Sequence, residues 1–207
     1  IDRIILIDLL YLGDLLFATP FIRNLRKNYK DARIDMIANA NFSEILQTNP
    51  HLDNIYSYDK NWSLKKSLQF AKELSLNNYD TGINIHGNWR TTILLEIINP
   101  DFTVGVGDRW KSIALDKVFE EVADCHMVEL YLDYLNQLGL MVDDKYIELV
   151  ITQTAKSSVQ AMLAREGISS DDKLVCLNTG GSWKTKQWPE EYFAELADLI
   201  EKRNQEI

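Results

Sequence analysis

Arg3-Ile4-Ile5-Leu6-Ile7-Asp8, followed by Leu9-Leu10-Tyr11-Leu12-Gly13-Asp14, decides how this chain folds. Residues 3–8 are a short β-branched run. The apolar pattern that begins at residue 14 and continues to 28 repeats at helical spacing. Working outward, the same alternation recurs to the far end. Strands are expected at 3–8, 34–39, 54–58, 81–86, 103–106, 146–151 and 173–178. Helical patterns fall at 14–28, 42–48, 62–76, 89–98, 126–138, 155–166 and 189–203. In the helix over 126–138, Leu130, Tyr134, Leu135 and Leu138 share one face and would meet a core. Pro20 lies six residues into the first helix, which predicts a kink or a late start there. Strand followed by helix, repeated, predicts an α/β fold with a doubly wound, mostly parallel sheet covered on both faces. Such sheets bind ligands beyond the carboxyl ends of their strands. The loops after Asp8, His86 and Asn178 are therefore the places to look for chemistry.

Composition sets the outer bounds. The chain has 207 residues, a net charge of -9 and 46% hydrophobic residues, which excludes a disordered chain and a collagen-like fibre. No apolar run approaches the roughly 18 to 20 residues of a membrane-spanning helix. Asp2, Arg3 and Asp8 interrupt the apolar start, so it reads as a strand and not as a signal peptide. Two cysteines, 125 and 176, form neither a disulfide framework nor a zinc site, and point to a reducing, cytoplasmic home. Cys176 is expected to be a small buried residue in a strand. Residues 1–120 carry 14 Lys and Arg against 15 Asp and Glu, whereas residues 121–207 carry 8 against 16. An acidic second part argues against nucleic-acid binding. The basic stretch Arg23, Arg26, Lys27, Lys30 and Arg33 reads first as a solvated helix end, with a lipid-headgroup contact as the alternative.

The polar segment 139–145 suggests a domain boundary between residues 140 and 171. Residues 1–150 would form one Rossmann-like domain, and 151–207 a linker with the first part of a second. One strand and one helix cannot bury enough surface to stand alone. The chain is therefore expected to be the front part of a longer two-domain protein.

Three loops carry candidate residues. Gly13 permits a tight turn or a close ligand approach, and Asp14 sits at a helix start, where it is either an N-cap or a general base. Thr179-Gly180-Gly181-Ser182, then Lys184 and Lys186, precede Trp188-Pro189 and another helix start. Cations beside a positive helix end call for an anion, and phosphate is the usual one. His86 reads as a capping or packing residue, and Arg90 as a ligand for an anionic sugar substituent. Gly105-Val106-Gly107-Asp108-Arg109-Trp110 lacks the third glycine of a dinucleotide fingerprint and is set aside. No metal site is visible, and no Asp-x-Asp triplet.

Leu12-Gly13-Asp14-Leu15-Leu16 with Pro20 and Leu25-Arg26 resembles the opening of glycosyltransferase family 9, the lipopolysaccharide heptosyltransferases. So do Asn49-Pro50-His51-Leu52-Asp53, Tyr79-Asp80 with Gly87, His126 at a helix start, and Lys186-Gln187-Trp188-Pro189-Glu190-Glu191 with Phe193, in that order. The resemblance implies a GT-B architecture, with acceptor bound by the first domain and nucleotide sugar by the second. It implies inverting, metal-independent and cofactor-free transfer of heptose from ADP-heptose to a lipid-linked core oligosaccharide. Asp14 matches the catalytic base, and Lys186 the lysine on the donor phosphates. Gly180, Gly181 and Ser182 match the phosphate loop, with Thr179 beside them as a further donor-side candidate; Arg90 falls near a basic position of the family and joins Gly13 and His86 as the acceptor-side candidates. Peripheral contact with the cytoplasmic face of the inner membrane is a further expectation, as is inactivity of 1–207 alone. The apolar loop Leu9-Leu10-Tyr11-Leu12 departs from the family's small or polar loop. Two alternatives stay open: transfer of another sugar in surface polysaccharide assembly, and a non-catalytic nucleotide-sugar-binding module of the same fold.

Overall fold

The computed structural model describes residues 1–107, 114–120, 122–181 and 183–205. It divides into two compact units, Ile1–Gln153 and Thr154–Ile207.

In the first unit, β1 (Arg3–Asp8) is flanked by β2 (Arg33–Asn39) and β4 (Thr81–Asn84), with β3 (Asn54–Tyr58), β5 (Phe102–Val106) and β6 (Lys117–Phe119) completing the sheet. The order is β3-β2-β1-β4-β5-β6, and every pair is parallel. Successive strand residues point to opposite faces, so β1 feeds two cores. Ile4 and Leu6 pack with α1 (Leu12–Phe17), α2 (Thr19–Asn28) and α5 (Met127–Gln137) through Leu15, Phe21, Ile22, Tyr131 and Leu135. Ile5, Ile7 and Leu9 pack with α3 (Leu64–Ser75) and α4 (Trp89–Ile98) through Ala71, Leu74, Leu94 and Leu95. Each of these large side chains contributes about 1.5 to 3 kcal/mol by leaving water. The doubly wound parallel sheet is the α/β class the sequence predicts.

The expected helix over 14–28 is two helices. Pro20 occupies the first turn of α2, where its missing N–H costs little. It cannot donate to the Leu16 carbonyl, and the Thr19 hydroxyl does so instead at 2.7 Å. The helix expected over 42–48 is a single 3-10 turn at Ser43–Leu46. Strand β6 escaped the sequence reading because three residues carry no alternation.

Residues 146–151, expected as a strand, make no ladder. They belong to a strap that α2 holds by side chains. Arg23 binds Asp144, Glu148 and the Tyr146 carbonyl. Asn24 and Asn28 each donate to one strap carbonyl and accept from one strap amide. The Glu148 amide donates to Thr19 Oγ1 at 2.9 Å. A backbone satisfied by side chains needs no neighbouring strand. The Arg23 guanidinium holds the Asp144 carboxyl well below the usual range.

The basic stretch is thereby largely paired within the protein. Arg23 and Lys27 meet Asp144, Arg26 meets Asp53, and Arg33 meets the buried Asp35. That geometry does not favour the lipid-headgroup alternative for these residues.

In the second unit, α6 (Gln153–Arg165) leads to residues 173–181, then a 3-10 turn at Lys184–Lys186 and α7 (Glu190–Gln205). Residues 173–178, expected as a strand, form no ladder among the described residues, since parallel pairing requires a neighbour. Cys176 is correspondingly exposed and not buried.

Candidate functional site

Strand order reverses between β1 and β4, so the chain leaves these neighbours in opposite directions and opens a crevice beyond their carboxyl ends. From the β1 side comes Asp14. The structure makes Tyr11 the N-cap of α1 and puts Asp14 three residues in, which corrects the N-cap reading. Its carboxylate accepts the Tyr11 amide at 3.1 Å. That bond is half of a capping box. It engages Oδ2, while Oδ1 has no protein donor among the described residues. Asp14 is half-buried. Gly13 does not make a tight turn; it is an ordinary helical residue, and a Cβ placed on it would meet nothing within 4 Å. Open space above a residue next to a carboxylate suits close approach of a ligand.

From the β4 side come Asn84, His86, Gly87 and Asn88. The buried Asn84 Oδ1 accepts the amides of His86 and Gly87 at 3.2 and 3.3 Å, turning the chain sharply. Gly87 has φ +72°, the left-handed region that a side chain resists. Asn88 caps α4 by accepting the Thr91 amide at 3.0 Å. His86 joins the two halves of the crevice: Nδ1 accepts the Leu9 amide at 3.1 Å, and Nε2 lies 2.8 Å from Asn88 Nδ2. The Leu9 amide makes Nδ1 an acceptor.

Arg90, in the first turn of α4, donates to the Lys60 carbonyl at 2.6 Å. The Lys60 ammonium lies 5.3 Å from the Tyr11 ring, bringing a cation to the loop before Asp14. Arg90 also lines an apolar groove of about 270 Å³ between α3 and α4, with Trp62, Trp89 and Ile93. At the start of α5, His126 Nδ1 accepts the Val128 amide at 3.2 Å, and the ring stacks edge-on with Phe17.

Two groups at this crevice were missed by the sequence reading. Asp8 ends β1 on the same face as Ile4 and Leu6, with no exposed surface. Its Oδ1 accepts the Leu10 amide at 2.8 Å, and its Oδ2 has no partner. Burial pushes this carboxyl up to about 7; the Asp14 charge adds to the rise, while the Leu10 amide and Lys60 oppose it. Tyr131 of α5 brings a second buried, partnerless polar atom, its hydroxyl. Burial raises that phenol above its ordinary range, and the charges of Asp8 and Asp14 raise it further. The signal available in the sequence was an acid on the inward face of an otherwise apolar strand.

The candidates in the second unit lie on one exposed loop. The Gly180 amide donates to Asn178 Oδ1 at 3.1 Å within the loop. Gln187 Nε2 donates to the Gly181 carbonyl at 2.7 Å, closing the loop. Thr179 and Lys186 are exposed. Ser182 lies outside the described residues, as do Asp108, Arg109 and Trp110. Trp188 packs on Tyr192 and Phe193 at the start of α7, and the Tyr192 amide donates to the Pro189 carbonyl at 3.1 Å. Among the described residues no cluster of His, Cys, Asp or Glu could hold a metal ion.

A parallel doubly wound unit with a carboxylate at its switch point is an α/β architecture of the GT-B type, the class expected from the sequence. More narrowly, the chain belongs to glycosyltransferase family 9 (heptosyltransferase), whose profile matches residues 67–207. It is similar to lipopolysaccharide heptosyltransferase 3 of Escherichia coli (strain K12), 27% identical over 210 residues covering 95% of this chain and 59% of that protein. Lipopolysaccharide heptosyltransferase 1 of Campylobacter coli is 22% identical over 213 residues, 99% of this chain and 62% of its own. The chain thus spans about three-fifths of these relatives. Among solved structures it is similar to a glycosyl transferase family 9 protein from Veillonella parvula DSM 2008, with a TM-score of 0.92 and 26% identity over 98% of this chain and 61% of that one. E. coli heptosyltransferase WaaC, solved with ADP, shares the fold at a TM-score of 0.73 and 17% identity, over 96% of this chain and 64% of that one.

Proposed function

We propose that this chain is the acceptor-side domain (1–150) and the start of the donor-side domain (151–207) of an inverting, metal-independent transferase. It moves heptose from ADP-heptose to the lipopolysaccharide inner core. The observation that carries this reading is the Asp14 carboxylate at the β1/β4 switch point, with one oxygen open and clear space over Gly13. Asp14 takes the proton of an acceptor hydroxyl as that oxygen bonds to the anomeric carbon. The bond from that carbon to the diphosphate breaks, and the electron pair leaves with ADP. Attack from the face opposite the diphosphate inverts the anomeric centre. Lys186, with Thr179, Gly180, Gly181 and Ser182, holds the donor phosphates and stabilises the leaving charge. Gly13, His86 and Arg90 contact the acceptor. The heptosyltransferase names of the relatives and the ADP bound to WaaC support the donor. No helix among the described residues is long and apolar enough to cross a membrane. We place the enzyme at the cytoplasmic face of the inner membrane, where a lipid-linked acceptor is presented.

Mass spectrometry of the full-length protein with ADP-heptose and a lipid-core acceptor tests this directly. Asp14→Asn is expected to abolish transfer and leave ADP affinity within about twofold, because the donor contacts lie elsewhere. Transfer from another nucleotide sugar alone would replace the donor. Unchanged turnover in the variant would remove Asp14 as the base.

A further inference from the structure

In a parallel sheet each helix begins near the carboxyl end of the strand before it, so the starts of α3 and α4 lie at the same sheet edge as the crevice. Three aromatic rings there each carry a cation. Lys60 Nζ lies 5.3 Å from the Tyr11 ring, Lys66 Nζ 4.1 Å from the Trp62 ring, and the Arg90 guanidinium 5.8 Å from the Trp89 ring. Trp62 and Trp89 line the apolar groove between the two helices, with Leu64 and Ile93. We propose that this rim of apolar side chains and cations is the surface that docks the enzyme on an anionic phospholipid bilayer. The proposal deepens, and rests on, the placement at the inner membrane made above.

The first support is exposure. Leu64 is 73% exposed, Trp89 64% and Ile93 45%, and large apolar side chains clustered in water mark an interaction surface. Tyr11 and Leu12, also exposed, add apolar surface at the start of α1. The second support is charge. Residues 59–76 and 89–98 carry five Lys and Arg against three Asp and Glu, a balance of +2, in a chain whose net charge is -9. Lys65 and Lys66 are exposed and form no ion pair among the described residues. The cations at 23–33 differ in this respect, since Arg23, Arg26, Lys27 and Arg33 meet carboxylates within the protein. The third support is the pairing of ring and cation. At a bilayer interface the ring sits among the headgroups while the ammonium reaches the phosphates. A bilayer offers anions at every position, so exposed lysines need no matched register, as they would against a folded protein. Position agrees as well. Arg90 lines the groove and donates to the Lys60 carbonyl at 2.6 Å, and Lys60 in turn reaches the loop before Asp14. A sugar seated at the crevice would leave its lipid in the bilayer held by this rim.

The test is flotation of the full-length protein with two kinds of vesicle, phosphatidylcholine alone and phosphatidylcholine mixed about three to one with phosphatidylglycerol. Binding to the anionic vesicles should be stronger by about tenfold or more and should fall as salt is added. Lys65→Gln with Lys66→Gln is expected to weaken that binding about twentyfold. Leu64→Gln with Trp89→Gln should weaken it by about tenfold or more. Both double variants should transfer to a water-soluble, acyl-free core sugar at the parent rate. Vesicle binding that the variants retain overturns the surface alone, while a parent protein that binds neither vesicle overturns the surface and the membrane placement together. Loss of transfer to the soluble sugar with vesicle binding intact would make this an acceptor pocket and also overturn the inference. So would light scattering that shows a parent dimer separated by Leu64→Gln with Trp89→Gln, because a second copy would then cover the face. Failure of the transferase reading looks different: no sugar is moved, yet the vesicle binding follows the expected pattern and upholds the surface.

Discussion

Asp8 makes the stability of this protein depend on pH in a direction opposite to that of most carboxylates. Its folded-state value, about 7, lies above the ordinary 3.8. The folded state therefore binds more protons than the unfolded state between those limits, and stability falls as pH rises through them. The sign follows from burial, the largest cause: the ionised carboxyl is favoured only where water reaches it. At about 1.4 kcal/mol per unit, a rise of about three units removes about 4 kcal/mol between pH 4 and pH 7. Asp8→Asn has no charge to lose. Its Oδ1 still accepts from Leu10, and any cost of its buried amide is the same at every pH. The assay is urea unfolding of the parent and the variant at half-unit steps from pH 4 to pH 8, read as the difference between them so that other titrations cancel. The variant should gain on the parent by about 1.4 kcal/mol per pH unit up to about pH 7, then level off. A flat difference across the range would refute the claim that Asp8 is desolvated.

Three further outcomes are expected. Tyr79→Phe removes the 2.6 Å bond from the Tyr79 hydroxyl to the buried Asp35 carboxylate and should cost about 1.5 to 3 kcal/mol in urea unfolding at pH 7. Gly87→Ala places a side chain at φ +72° with its Cβ about 2.7 Å from Val106 Cγ1; backbone and overlap together should cost about 2 to 4 kcal/mol, read as a lower melting temperature. Lys186→Ala in the full-length protein should weaken ADP by about 1.5 to 3 kcal/mol in calorimetric titration, and unchanged affinity would take Lys186 out of the donor site.

The sequence disclosed the sheet through repetition: five of the seven runs expected to be strands are β1 to β5. It also disclosed the helix break at Pro20, because a residue without an N–H leaves a fixed signature. It did not disclose the fate of 146–151, whose alternation is that of a strand but whose backbone partners are the side chains of Thr19, Arg23 and Thr48, more than a hundred positions earlier. Pairings over that distance are set by packing, not by local pattern. At the crevice, Gly13 and Asp14 were visible as a motif. The Asp8 carboxyl was not, because its importance comes from what surrounds it. An aspartate at the end of a strand looks the same in a sequence whether water or α5 covers it.

The Thr19 hydroxyl has two partners. Its proton closes the Leu16 carbonyl left open by Pro20, and its oxygen receives the Glu148 amide. One atom thus splices the seam between α1 and α2 to the strap that carries the chain away from this domain. Tension on that strap would be felt within a turn and a half of the acid at the crevice. Evolution could adjust the acid's aim by editing residues around 148, with no change to any side chain that meets a ligand.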